Sequence, residues 1–149
     1  MNLSEERTIA AAPDVVWAAI LDAEVLKACI PGCQELTGSP EEGFEAVVVQ
    51  KVGPVKATFK GVVQVSDVDP GRSCRLSGEG KGGAAGFAKG SASVQLEADG
   101  AGTRLTYEVD AKVGGKLAQL GGRLIDSFAK KLADQFFTNF QTTVEERGS

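Results

Sequence analysis

The chain has 149 residues, 42% of them hydrophobic, with a formal net charge of −4. That size and apolar content suit one domain over residues 1–149 with a sizeable core, and exclude a disordered chain. The acidic balance argues against a nucleic-acid partner, because phosphates ask for a basic stripe.

Residues 3–9 are predicted as a first strand. Ala12-Pro13-Asp14 then opens a short helix: proline suits a first helical turn, and Asp14 complements the positive end of the helix dipole. Val15, Val16, Trp17, Ile20 and Leu21 form its apolar side. A second short helix over 23–28 stops at Pro31-Gly32. Six strands are predicted next, over 33–39, 44–52, 54–67, 73–80, 86–98 and 103–113. Ser39-Pro40-Glu41-Glu42-Gly43, Gly53-Pro54, Asp69-Pro70-Gly71 and Asp99-Gly100-Ala101-Gly102 supply the turns between them. Loops this short between successive strands make an antiparallel meander. Gly78-x-Gly80-x-Gly82-Gly83 has glycines at the first, third and sixth places of a dinucleotide loop, but no helical pattern follows. It reads as a bent hairpin instead.

From Lys116 to about residue 144 the apolar residues Leu117, Leu120, Leu124, Phe128, Leu132, Phe136 and Phe140 recur every three or four positions. That is the period of one long amphipathic helix, widened by Ile125, Phe137 and Val144. A long helix after a run of strands buries its stripe against the sheet, which predicts an α+β fold: a curved antiparallel sheet wrapped around the C-terminal helix. Alternation assigns the sheet faces. Val55, Ala57, Phe59, Gly61, Val63 and Val65 share one side, and so do Leu105, Tyr107, Val109, Ala111 and Val113. Cys74, Leu76, Gly78, Ala88, Ala92, Val94 and Leu96 join that inner face, whereas the parity of Phe87 sets it outside. Small residues at 57, 61, 78, 88, 92 and 111 leave room for a cavity under the helix. They serve tight helix–sheet packing equally well, so the pattern leaves both open. For a cavity, parity and the helical stripe select Phe59, Val63, Leu76, Ala92, Val109, Leu124, Phe128 and Leu132 as its lining.

Histidine is absent. This removes the usual general base, the His-activated nucleophiles and the commonest metal ligand. An enzyme would have to rely on Tyr107, Glu79 or Asp110. Tyr107 reads more simply as a strand residue whose hydroxyl finds a partner, and Asp110 as a solvated carboxylate. Cys29-Ile30-Pro31-Gly32-Cys33 with Cys74 falls short of the four ligands of a structural zinc site, and reads as small residues at a turn. No catalytic residue, metal ligand or covalent cofactor is expected. Residues 1–11 lack the apolar core of a signal peptide and no stretch of about 18 apolar residues occurs, so a cytoplasmic chain with reduced thiols is expected. Residues 113–124 combine paired glycines, leucines and cations, which suggests a movable start to the long helix. Phe87, Lys89, Lys116, Leu117, Leu120, Arg123 and Lys130 are the candidate membrane or partner surface. The plainer alternative is a solvated helix face.

Several stretches resemble one family. They are Leu26-Lys27-Ala28-Cys29-Ile30-Pro31-Gly32-Cys33, Lys51-Val52-Gly53-Pro54-Val55-Lys56-Ala57-Thr58-Phe59, Ala85-Gly86-Phe87-Ala88-Lys89-Gly90 and Val113-Gly114-Gly115-Lys116-Leu117-Ala118-Gln119-Leu120-Gly121, with Val16-Trp17 and Gly78-Glu79-Gly80 between them. The pattern is similar to the CoxG family of carbon monoxide dehydrogenase, within the START-like superfamily with the helix-grip fold. The resemblance spans about residues 3–140. It implies a non-catalytic accessory protein of a molybdenum hydroxylase such as aerobic carbon monoxide dehydrogenase. It further implies a hydrophobic pocket for a lipid or a respiratory quinone (menaquinone or ubiquinone), and a peripheral place at the inner face of the cytoplasmic membrane. A START-like enzyme of cyclase or hydrolase type, and an adaptor with a filled core, are the alternatives.

Overall fold

The period-two pattern becomes one antiparallel sheet in the computed structural model, which describes residues 2–148. Strand β1 (Asn2–Ile9) leads into helices α1 (Pro13–Ile20) and α2 (Ala23–Cys29). Strands β2 (Cys33–Ser39), β3 (Gly43–Val52), β4 (Val55–Asp69), β5 (Ser73–Lys81), β6 (Phe87–Asp99) and β7 (Gly102–Gly114) follow, and helices α3 (Lys116–Gln119) and α4 (Gly122–Gly148) close the chain. The sheet has seven strands in the order β1-β7-β6-β5-β4-β3-β2, each antiparallel to its neighbour, with β1 and β2 at the edges. It curves around α4 as a helix-grip fold. The Asp22 carboxylate caps α2 by accepting from the Glu24 N–H at 2.9 Å, which satisfies one orphan donor of the first turn.

One expectation needs correction: the single long helix from Lys116 is in fact two. Gly121 separates α3 from α4 with φ at +90°, a conformation that costs an L side chain roughly 1–2 kcal/mol and glycine nothing. The break separates Leu117 and Leu120 from the face of α4. Ile125 turns inward at 9% exposed, while Leu124 turns outward at 38%.

The interior divides into three clusters. The largest joins the end of β1, α1, α2 and the C-terminal half of α4, with Ile9, Val16, Ile20, Leu105, Tyr107, Phe140 and Val144 all at most 1% exposed. A second surrounds Leu26, Leu36 and Phe44. The third is small: Val52, Leu117 and Ile125, with Val55, Phe59, Val113, Leu120 and Phe128 against them. It caps the opposite end of the sheet.

Candidate functional site: an apolar cavity under the first half of α4

The inner-face residues shrink along the strands. β7 runs Leu105, Tyr107, Val109, Ala111; β6 runs Leu96, Val94, Ala92, Gly90, Ala88; β5 runs Cys74, Leu76, Gly78, Gly80. Cross-strand pairing sets the small residues side by side, Gly61 beside Gly80 beside Ala88, and Gly78 beside Gly90 beside Ala111. Side chains this small fall short of the helix above. The helix also narrows there, presenting Ala129 and Ala133. The result is a cavity of about 420 Å3 between the first half of α4 and the sheet, within the roughly 300–1,000 Å3 of small-molecule sites.

Its lining is almost wholly apolar. Val48, Val52, Phe59, Val109, Ala111 and Val113 rise from the sheet; Ile125, Phe128, Leu132 and Phe136 descend from α4; Leu117 comes from α3, and Ile30 and Pro31 from the α2–β2 turn. Gln50 is the one polar side chain among the lining residues, and its amide donates to the Pro31 carbonyl. No lining residue is ionisable. Such a surface rewards apolar area at about 25 cal/mol per Å2 and offers no group for proton transfer or nucleophilic attack.

Of the eight lining residues predicted, Phe59, Val109, Phe128 and Leu132 border the cavity. The other four are corrections. Val63 packs with Leu26, Leu36 and Phe44, and Leu76 with the main cluster. Ala92 lies opposite Leu76 in the register, toward the filled end. Leu124 is exposed, because the face of α4 that looks into the cavity runs through Ile125, Phe128, Ala129 and Leu132 and leaves Leu124 at its outer edge. Parity gave the first three the correct face but not their position along the strand. Leu117, predicted at the surface, is 3% exposed and reaches the cavity, and Leu120 is half-buried beside it.

The remaining surface candidates divide. Phe87 is 43% exposed, and Lys89, Lys116 and Arg123 are exposed. Lys130 is also exposed but engaged: its Nζ donates to Glu5 Oε1 at 2.9 Å and sits 3.5 Å from Asp134. Sequence reasoning missed Glu5, which points inward from edge strand β1 and also accepts from the Tyr107 hydroxyl at 2.9 Å. The only signal was alternation: Glu5 and Arg7 share parity with Leu3 and Ile9. The hydrogen bonds from Lys130 and then Tyr107 hold the Glu5 carboxyl below its ordinary range. Burial, followed by the Glu5 hydrogen bond, pushes the Tyr107 phenol up.

The enzyme candidates are scattered. Tyr107 is 1% exposed within the main cluster, Glu79 pairs with Lys89 on the outer face, and Asp110 is exposed there. Burial raises the Cys29, Cys33 and Cys74 thiols, which keeps them protonated and poorly nucleophilic. Among the described residues, no three carboxylates or thiols converge as a metal site would require, and no helix is long and apolar enough to cross a membrane.

A family model for the carbon monoxide dehydrogenase G-subunit, CoxG, matches residues 6–145. The chain belongs to the CoxG family. Solved structures agree on the fold. A conserved protein from Geobacillus kaustophilus is 28% identical, superposes with a TM-score of 0.90, and is matched over 100% of this chain and 98% of its own. A Thermus thermophilus protein is 17% identical with a TM-score of 0.74, over 100% of both chains. A Rhodobacter sphaeroides protein is 20% identical with a TM-score of 0.66, over 96% of this chain and 91% of its own. At those last two identities the likeness concerns fold alone. Among curated proteins none matches the sequence.

Proposed function

We propose that this CoxG-family protein is a non-catalytic accessory to a molybdenum-containing carbon monoxide dehydrogenase. In this reading it carries an apolar molecule, a lipid or a respiratory quinone, beneath α4, and links the enzyme to the inner face of the cytoplasmic membrane. The family supports the partner. The carrying role rests on one observation: a cavity of about 420 Å3 whose lining has a single polar side chain, already hydrogen-bonded, and no ionisable group. A START-like enzyme needs acid–base or nucleophilic groups at its cavity, and Tyr107, Glu79 and Asp110 all lie away from this one. In an adaptor with a filled core α4 would settle onto the row of small residues, whereas here a void lies between them.

Native mass spectrometry and solvent extraction of protein purified from its own host test the carrying role. A bound lipid or quinone at near-unit occupancy is expected. Protein that retains none, and takes up neither a fluorescent fatty acid nor a short-chain quinone from solution, sinks it. Co-purification of the dehydrogenase with a tagged chain tests the partner.

A further inference from the structure

Beyond the cavity, the outer face of the sheet carries an arrangement that costs stability. Residues directly opposite one another on paired strands share a face, and like charges there repel. Three such lysine pairs occur toward the end of the sheet that α3 caps: Lys51 opposite Lys56, Lys60 opposite Lys81, and Lys89 opposite Lys112, with Glu79 facing Lys89 on its other side and partly offsetting that last pair. All six are exposed, as are Lys116 on α3 and Arg123 in the first turn of α4. Among the described residues none of these eight cations lies in a salt bridge; the bridged cations are Arg104, Lys130 and Arg147. A chain with net charge −4 has thus gathered half of its 16 cations at one end.

Two large apolar side chains stand exposed at the same end. Phe87 pairs with Lys81 across β5 and β6 and is 43% exposed, and Leu124, over the β3–β4 turn at Gly53, is 38% exposed. Cations around protruding apolar side chains fit an interface of anionic headgroups over hydrocarbon. The cavity closes at this end with Leu117, so an apolar ligand entering there from a bilayer need not cross water.

We infer that this lysine-paired end of the sheet is the docking surface for a bilayer containing anionic phospholipid, with Phe87 and Leu124 entering the headgroup layer. The inference rests on the carrier reading for its purpose but not for its test. Lys56→Glu, Lys60→Glu and Lys112→Glu each place a carboxylate opposite a lysine, so the combined variant should fold with an unchanged or higher Tm.

Sedimentation with vesicles of phosphatidylcholine alone, and of phosphatidylcholine mixed with phosphatidylglycerol, measures docking. The wild type should bind only the anionic vesicles, and less at high salt. The triple variant should bind at least about a hundredfold more weakly, from roughly fivefold per cation lost. Uptake of a fluorescent fatty acid from solution should be unchanged in that variant. Gly80→Leu, which fills the cavity, should lose uptake and keep docking. If the folded triple variant binds anionic vesicles as the wild type does, or the wild type binds no vesicles, the inference is wrong. If the wild type ignores vesicles and the variant loses only the dehydrogenase, the surface belongs to a protein partner and the inference is again overturned. If uptake fails throughout while docking behaves as stated, the carrier reading falls and the docking surface stands.

Discussion

The two halves of α4 lie on one sheet and meet it in opposite ways. The C-terminal half is packed solid. Phe137 stacks on Tyr107 with ring centroids 4.1 Å apart, and Phe136 and Phe140 complete an aromatic group. Polar ties reinforce it: the Asn139 amide donates to the Cys29 carbonyl at 3.1 Å, the Gln141 amide to the Thr8 carbonyl at 3.1 Å, and the Ala10 N–H to Glu145 at 2.7 Å. The N-terminal half spans a cavity, begins beside a left-handed glycine, and among the described residues makes no side-chain hydrogen bond or salt bridge before Lys130. One helix therefore serves as a foundation at one end and as the roof of a void at the other. Close packing leaves no room for a ligand, and a cavity forgoes dispersion contacts. Dividing the two tasks along the helix lets the fold stay stable while holding a void.

The same deletion in each half gives the widest contrast. Phe140→Ala should lower the unfolding free energy by about 3–5 kcal/mol, since the ring is wholly enclosed. Phe128→Ala should cost roughly 1–2 kcal/mol, because its ring already borders empty space. Urea midpoints with unchanged slopes measure both. Equal losses would show that the two halves are packed alike.

Filling the void sharpens the contrast from the other side. A Cβ on Gly80 would meet only the Phe59 Cβ, at 3.8 Å, and the backbone there is ordinary strand. Gly80→Leu should reduce uptake of a fluorescent fatty acid at least about tenfold while changing stability by no more than about 1 kcal/mol, because a strand glycine is itself costly by about that amount. Undiminished uptake would place the ligand elsewhere.

These two regions were unequally legible in the sequence. Strand faces were readable, because a period of two leaves little choice once turns mark the ends, and the element order and most boundaries follow from it. The gradient from Leu105 and Tyr107 to Ala111, and from Leu96 to Ala88, was also present, yet composition alone does not say whether small residues admit a helix or exclude one. Val63, Leu76 and Ala92 were misplaced for that reason. The break at Gly121 was hidden by the leucines at 117, 120 and 124, which keep helical spacing across it. Glu5 was hidden because an inward carboxylate needs partners from β7 and α4 that lie far off in the chain.

The break at Gly121 offers a smaller perturbation of the roof alone. Gly121→Ala meets no atom within 4 Å, so the only cost is its φ of +90°, about 1–2 kcal/mol. Hydrogen exchange should speed up in α3 and the first turns of α4 and stay unchanged from residue 136 onward. Loss of protection along the whole helix would mean that α4 opens as one unit.

The smallest expected effect lies at the boundary between the halves, where Lys130 holds Glu5. The Glu5 carboxyl sits below its ordinary value of 4.5, first through the Lys130 hydrogen bond and then through Tyr107. With the folded value depressed, the unfolded chain binds the extra proton in acid. The contribution is therefore complete above the ordinary carboxylate range and is lost as pH falls through the lowered folded value. Tyr107 titrates the other way. Its raised phenol keeps its proton in the folded chain, so that contribution holds below the ordinary tyrosine value of 10 and fades as pH rises further. The Glu5 and Lys130 side chains are 31% and 56% exposed, so solvent screens the pair and only a modest effect remains. Glu5→Gln should lower Tm slightly at about pH 7 and show a shallower fall between about pH 5 and pH 2 than the wild type, the window in which a depressed carboxylate gives up its contribution. Parallel Tm curves would mean that the pair contributes nothing, and that the roof of the cavity is held down from Phe136 onward by the packing and polar ties there.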